Sequence, residues 1–198
     1  MSLCANRVQR EIREIVNSTD LNEQGILIEV LDNNIQHLRG YISGPAESLY
    51  KNANYVLDIQ IPDQYPFKPP NVKFVTRVWH PNVSSATGAI CLDILKSNWA
   101  ASLTLRTVLL SIQALLASPE PNDPQDAIVA SQFIKSPDLF ERTAKFWACY
   151  FAGAKDAKDE TFLQKIKKLK DMGVEEETAV SALSCNGWDL DSTITAVF

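Results

Sequence analysis

Cys91 lies in the apolar run Gly88-Ala89-Ile90-Cys91-Leu92-Asp93-Ile94-Leu95, nine residues after Asn82 of the triplet His80-Pro81-Asn82 and eight before Trp99. One side chain able to act as a nucleophile thus shares a segment with an imidazole, a side-chain amide and an indole. Free cysteine is usually a small buried hydrophobe, so its surroundings decide whether it reacts. Thiol exchange needs a thiolate fraction and an open approach, and a cysteine of ordinary pKa, about 8.5, supplies some thiolate at neutral pH. Attack on an already activated thioester therefore needs no strong dedicated base. A cysteine hydrolase asks for more: a histidine against the sulfur and a third group to orient it. The chain has two histidines, His37 and His80, and His80 precedes a proline, which biases it toward an extended or turn conformation. Bracing that turn through hydrogen bonds is one role for His80, and general-base work is the other.

The elements that must position this segment can be read from period and punctuation. Val8, Ile12, Ile15 and Val16 form the apolar side of a first helix, with Arg7, Arg10 and Arg13 along another side, where a solvated face is the plain reading. Strand-like runs follow at Ile26 to Leu31, Leu38 to Ser43, Tyr55 to Ile61 and Val72 to Val75, punctuated by Asn33-Asn34, Gly44-Pro45 and Pro62-Asp63. An antiparallel meander is the economical arrangement. Tyr65-Pro66-Phe67-Lys68-Pro69-Pro70 lacks the amide hydrogens of a central strand and reads as a stiff loop. Thr104 offers an N-cap to a core helix carrying Leu105, Val108, Leu109, Ile112 and Leu116, ended by the proline-rich stretch Pro119 to Pro124. Two more helices are expected, around Ala127 to Ile134 and after Ser136-Pro137, the latter with Phe140, Ala144, Trp147 and Phe151 on one stripe.

After Gly153 the texture changes to a small, charged linker and then a compact tail. From Gly153 to Phe198 there are 6 basic and 9 acidic residues. Phe162, Ile166 and Leu169, then Ala179, Ala182 and Leu183, then Leu190, Ile194 and Val197 mark three short helices broken at Gly173 and Gly187. The expected fold class is α+β: an N-terminal helix, a four-stranded antiparallel meander and further helices over residues 1–152, a linker at 153–160, and a three-helix bundle at 161–198. A bundle of that size is marginal alone.

The 198 residues are 45% hydrophobic and carry 19 basic against 24 acidic side chains, a net charge of −5. That suits one substantial core and a second small one. No basic run interleaved with aromatics marks a nucleic-acid surface, and no apolar run reaches the roughly 18 residues of a membrane span. The opening residues lack an apolar core with a cleavage site, so a cytoplasmic protein with access to the nucleus is expected. Cys4, Cys91, Cys149 and Cys185 are widely spread, form no metal-ligand pairs and should be free thiols in a reducing compartment.

Residues 1–152 resemble the ubiquitin-conjugating enzymes. His80-Pro81-Asn82 with Cys91 and Trp99 matches their active-site segment, Tyr65-Pro66-Phe67 and Pro69-Pro70 their proline-rich loop, and Leu103-Thr104 the lead into their central helix. The tail resembles a ubiquitin-associated domain, with Met172-Gly173 in its first loop and Trp188-Asp189 before its third helix. The layout is that of conjugating enzymes which carry such a tail and build polyubiquitin chains. The resemblance implies an enzyme without metal or organic cofactor: Cys91 accepts the ubiquitin C-terminus as a thioester from the activating enzyme, then yields it to a lysine amine.

By the same resemblance Asn82 stabilises the oxyanion, though bracing its loop is an alternative that can coexist with catalysis. Asp123 orients the incoming lysine, or serves as a turn device before Pro124. Leu110 and Ala114 cradle the donor ubiquitin; Phe67, Trp99, Ala100 and Ala101 meet ubiquitin ligases; Arg7, Arg10 and Arg13 meet the activating enzyme; Met172, Gly173 and Val174 belong to the tail's ubiquitin-binding patch. A monomer is expected. Three places depart from the pattern: the loop Trp99-Ala100-Ala101-Ser102 lacks the proline that many members have, Val174 stands where the tail motif usually has an aromatic residue, and the last helix closes on Ala196-Val197-Phe198 rather than a leucine pair. Asp93 reads as a structural hydrogen-bonding group, since a carboxylate close to sulfur raises a thiol pKa. A non-catalytic ubiquitin adaptor on the same fold is the rival reading, against which Cys91, Asn82 and Asp123 stand together; a cysteine hydrolase comes third.

Overall fold

The computed structural model describes residues 3–155 and 159–198, the side chains of Leu3 and Cys4 excepted. The free thiol expected at Cys4 and the middle of the expected linker lie outside the described residues. Helix α1 (Leu3–Val16) and the short α2 (Thr19–Glu23) precede four strands, β1 (Ile26–Leu31), β2 (Asn34–Ser43), β3 (Asn54–Gln60) and β4 (Asn71–Phe74). All neighbours pair antiparallel in the order β1-β2-β3-β4, the expected meander.

β2 begins four residues earlier than its apolar run suggests. Asp32 and Asn33 both adopt left-handed backbone, φ 52° and 53°, and close a two-residue hairpin that pairs Leu31 with Asn34. Asx residues tolerate that conformation, and Asn34 to His37 extend β2 across a register shift, Leu38 being the next residue paired with β1. α2 escaped notice because five residues carry too little periodicity to register.

Helix α3 (Leu105–Ala117) lies on the sheet. Thr104 caps it, its hydroxyl accepting from Thr107 N–H at 3.3 Å, and Leu105, Val108, Leu109, Ile112 and Leu116 are buried in one core with Leu38, Ile42, Leu57 and Ile59 of β2 and β3. Leu110 is half-buried and Ala114 exposed on the outer side of α3. α4 (Ala127–Lys135) and α5 (Pro137–Ala152) complete this layer.

α6 (Glu160–Asp171), α7 (Glu176–Cys185) and α8 (Leu190–Val197) form the expected trio, with Gly173 and Gly187 at positive φ in the breaks. The trio does not stand apart: it packs on α5. Phe162 and Trp188 stack with ring centroids 3.6 Å apart, and Phe146 of α5 meets both edge-on at 5.7 and 5.3 Å. The two indoles bond across the seam, Trp147 Nε1 donating to Ser184 Oγ at 2.9 Å and Trp188 Nε1 to Thr143 Oγ1 at 3.0 Å. Arg142 adds bonds to Asp159 and Thr161, each 2.9 Å. Burying an indole is favourable when its N–H finds a partner, and here each partner lies across the seam.

Candidate active site

Cys91 is set by a short return of the chain beside β4. Gly88, at φ 74°, passes so close that an added Cβ would stand 2.0 Å from the Phe74 carbonyl oxygen. Its own carbonyl accepts from Phe74 N–H at 2.9 Å, and Cys91 N–H donates to the Asn82 carbonyl at 2.8 Å. A side chain at position 88 would break this stitch and shift the cysteine with it. The sulfur is half-exposed, 3.2 Å from Lys96 Nζ and 3.7 Å from Asp123 Oδ2.

His80 is fully buried. Its Nδ1 accepts from Asn82 N–H at 3.0 Å and its Nε2 lies 3.0 Å from the Leu115 carbonyl. Accepting at Nδ1 leaves the proton on Nε2, so the ring is a neutral donor to α3. Burial pushes its pKa down to about 4, partly countered by that bond to Leu115. With both nitrogens used, His80 is a brace for the turn. His37 pairs with Asp58 at 2.8 Å on the sheet. The histidine–cysteine pairing of a hydrolase is thus not what these imidazoles make.

Asn82, 2% exposed, ties its loop to the 120–123 loop. Nδ2 donates to the Glu120 and Asp123 carbonyls, each at 3.0 Å, and Oδ1 accepts from Glu120 N–H at 2.8 Å. Pro81 adds a second stitch, its carbonyl accepting from Gln125 N–H at 2.9 Å and Asp126 N–H at 3.0 Å. Asp126, which the sequence did not single out, caps α4 and holds Ser85 through N–H at 3.0 Å and Oγ at 2.7 Å. These bonds hold the exposed Asp123 carboxylate beside the sulfur. Asp93 instead accepts from Ile94 N–H at 2.7 Å and Asn98 Nδ2 at 2.8 Å, shaping the 3-10 turn Asp93–Leu95.

The loops outside the sulfur meet around a second unforeseen residue. Glu11, 1% exposed, accepts from Arg7 Nε at 2.8 Å, Tyr65 Oη at 2.6 Å and Leu105 N–H at 2.9 Å. It binds α1, the proline-rich loop and the start of α3 in one knot. Arg7 also donates to the Leu103 carbonyl at 2.9 Å, so Arg7 is half-buried rather than on a solvated face, because the Glu11 carboxylate draws it inward; Arg10 and Arg13 are exposed. A signal was available: Glu11 sits three residues from Val8 and four from Ile15, on the apolar stripe. Trp99 Nε1 donates to the Pro66 carbonyl at 2.7 Å, which brings the 99–101 loop beside Phe67, itself 82% exposed. In the tail, Met172 is exposed and Val174 half-buried, its N–H bonded to the Leu169 carbonyl at 3.0 Å. Leu110 and Ala114, the Phe67–Trp99 surface and Met172 to Val174 thus form separate surfaces, whereas Cys91, Asn82 and Asp123 come together.

Among the described residues no group of three or more His, Cys, Asp or Glu side chains could hold a metal ion, and no helix is long and apolar enough to cross a membrane. A reachable thiol, a carboxylate beside it and two loops locked by buried polar groups define the site. That arrangement suits acyl transfer between a thioester and an amine. The family model described as ubiquitin-conjugating enzyme matches residues 7–148, and the chain belongs to that family. Ubiquitin-conjugating enzyme E2 21 of Caenorhabditis elegans is 49% identical over 100% of this chain and 92% of its own. Ubiquitin-conjugating enzyme E2 K of Homo sapiens is 47% identical over 96% and 95%. Among solved structures, a ubiquitin-conjugating enzyme E2 domain of Toxoplasma gondii aligns with a TM-score of 0.69 at 49% identity, covering 75% of this chain and 99% of its own. One from Plasmodium yoelii, described as a putative ubiquitin conjugating enzyme, gives 0.72 at 47%, covering 77% and 97%. The protein is a ubiquitin-conjugating enzyme, a transferase acting through a cysteine thioester, and as a class such enzymes work with ubiquitin, an activating enzyme and ubiquitin ligases.

Proposed function

We propose that Cys91 is the thioester residue and that Asp123 receives the attacking lysine. The observation that carries this is the half-exposed sulfur with the Asp123 carboxylate 3.7 Å away. A carboxylate there can hold an incoming ammonium and take its proton as the amine attacks the thioester carbonyl. Asn82 contributes first as a brace, because both hydrogens of its amide are spent on carbonyls. Donation to the oxyanion follows when one of these bonds is exchanged, at a worth of a few kcal/mol.

The proposed organisation is a catalytic unit of residues 1–152, a linker at 153–160 and a ubiquitin-associated tail at 161–198. Three short helices, the Met172-Gly173 break and an exposed Met172 support the tail reading. Half-buried Val174 offers less contact than an aromatic residue there, so weak binding is expected. A tail docked on α5 holds a second ubiquitin at a fixed place while Cys91 carries the first, which supports chain building. Leu110 and Ala114 would face the donor, Phe67 with Trp99, Ala100 and Ala101 the ligase, and Arg10 and Arg13, with Arg7 as their inner support, the activating enzyme. The protein acts as a monomer in cytoplasm and nucleus on this reading. The test is a reaction of activating enzyme, ubiquitin, ATP and this protein with no ligase. A reductant-sensitive adduct followed by free ubiquitin chains is expected; an adduct that discharges without chains would refute intrinsic chain building. NMR titration with ubiquitin should shift Met172, Gly173 and Val174, and their immobility would refute the tail assignment.

A further inference from the structure

Arg77 bridges the aromatic stripe of α5 and the loop that returns to Cys91. Its guanidinium carbon lies 4.9 Å from the centre of the Trp147 ring and 5.0 Å from that of Phe151. Held by those two rings, it donates from Nη2 to the Ser85 carbonyl at 3.2 Å. Ser85 is gripped a second time by the Asp126 carboxylate, on its N–H and its hydroxyl. The neighbouring bonds run on toward the cysteine: Ser84 N–H donates to the Ala89 carbonyl and Gly88 N–H to the Ser84 carbonyl, each at 2.9 Å, and Gly88 is itself stitched to Phe74. A shift of Ser85 therefore pulls on the bonds that set the sulfur.

The same Trp147 is held by the tail. Its Nε1 donates to Ser184 Oγ of α7 at 2.9 Å, which fixes the plane of the ring that Arg77 covers. Ser184 is fully buried and gives its own proton to the Val180 carbonyl at 2.7 Å, so the acceptor is locked in turn. The end of α7 also lies within reach of the loop's charges: burial pushes the Cys185 thiol pKa up, Asp126 adding to the rise and Arg77 opposing it. A flat guanidinium suits an aromatic face only while that face keeps its orientation.

We propose that Arg77 is a positioning residue through which docking of the tail on α5 sets the active-site loop, so that thioester transfer is fast with the tail seated and slow with it released. The inference rests on Cys91 being the thioester residue. With the tail in place, Ser184 orients Trp147, Trp147 and Phe151 hold the guanidinium, and Arg77 fixes Ser85 together with Asp126. Once the tail leaves, Trp147 Nε1 loses its acceptor, the ring is free to turn, and Asp126 is the side chain left holding Ser85. A misplacement of about 1 Å far from the chemistry costs on the order of a hundredfold, so a fraction of that shift predicts about a five- to twentyfold slower transfer. Charging needs only an open thiolate and is spared. Trp79 offers another path, its ring 4.9 Å from that of Trp147 and its N–H bonded to Gln132 Oε1 at 2.8 Å. Coupling through Trp79 would survive the loss of Arg77.

The full chain, charged with a ubiquitin whose lysines are all arginine, is chased with free lysine in wild type, Arg77→Gln, Trp188→Ala and the double variant. Each single variant is expected to charge at the wild-type rate and to discharge about five- to twentyfold more slowly. The double variant should be no more than about twofold slower than the slower single, because both substitutions cut one path. In NMR spectra of the full chain, the amide signals of Ser85, Gly88 and Cys91 should move in Trp188→Ala, and should stay in place when that substitution is added to Arg77→Gln. Ser184→Ala leaves the stack inside the tail intact and should slow discharge in the same direction, which keeps the test valid if Trp188→Ala unfolds the tail. Single variants that discharge like wild type, losses that multiply in the double variant, or amide shifts that persist without Arg77 overturn the proposal. Absence of any thioester on Cys91 instead overturns the reading beneath it, and the proposal falls with it.

Discussion

Acid should weaken this fold through His80 before it weakens it through carboxylates. The ring is fully buried and ties the 80–82 turn to α3 as a neutral donor–acceptor, with a pKa of about 4 set first by burial. In the unfolded chain the same group has a pKa of about 6.5. Between those values the unfolded state binds more protons, so stability falls as pH drops from about 6.5 to about 4 and is fully lost below both values. Integrated from pH 7 to pH 5, the loss is about 2 kcal/mol of a total near 3. For a chain of this length that is roughly 4–8 °C in melting temperature. Chemical unfolding at pH 7, 6 and 5, followed by fluorescence of the buried tryptophans, measures it for the wild type and for His80→Gln. The variant keeps a donor but has nothing to titrate, so its stability should change by less than half as much. Because the chain has two histidines, an NMR titration gives a second readout that needs no variant. A His80 midpoint near 6.5, or equal pH slopes in the two proteins, would refute the reasoning.

Asn82→Ala removes three hydrogen bonds worth about 1 kcal/mol each, so denaturant titration should show a loss of about 2–3 kcal/mol. The thioester should still form, while discharge to lysine slows on the order of ten to a thousandfold. Asn82→Asp should be less stable than Asn82→Ala, because it turns an oxygen toward the Glu120 and Asp123 carbonyls; the reverse order would mean that the amide does not face them. Trp188→Ala empties the stack on Phe162 and removes the bond across the seam to Thr143, whose hydroxyl keeps its bond to the Leu139 carbonyl, at about 3–5 kcal/mol. Hydrogen exchange should then rise in α6 to α8 with charging intact, and unchanged protection would mean that Trp188 is not what seats the tail.

The parts legible in the sequence are those that local pattern controls. Helix α3 follows from Thr104 and its apolar spacing, and the strand order from turns that leave no room for a crossover. The residues that come together at the site were named by motif, and their geometry refines how they act: His80 Nε2 and the Asn82 amide are taken up by backbone groups distant in sequence, a fact that spacing cannot carry. α5 shows the same limit. Its stripe of Phe140, Ala144 and Trp147 points to the core, but Thr143 and Phe146 are buried too, because α5 is packed on one side by the catalytic layer and on another by the tail. A helix with two apolar sides signals a second neighbour without naming it. Glu11 was missed for the opposite reason: an acid on an apolar stripe reads as a blemish until Arg7, Tyr65 and Leu105 are brought to it by the fold.

The central claim is that one cysteine of the four carries ubiquitin. The most direct measurement charges wild type, Cys91→Ser and Cys91→Ala with activating enzyme, ubiquitin and ATP, and reads intact mass with and without thiol reductant. The wild type should gain one ubiquitin that reductant removes, Cys91→Ser one that reductant leaves in place as an oxyester, and Cys91→Ala none, while alanine at Cys4, Cys149 or Cys185 changes nothing. A reductant-sensitive ubiquitin on Cys91→Ala would contradict the account.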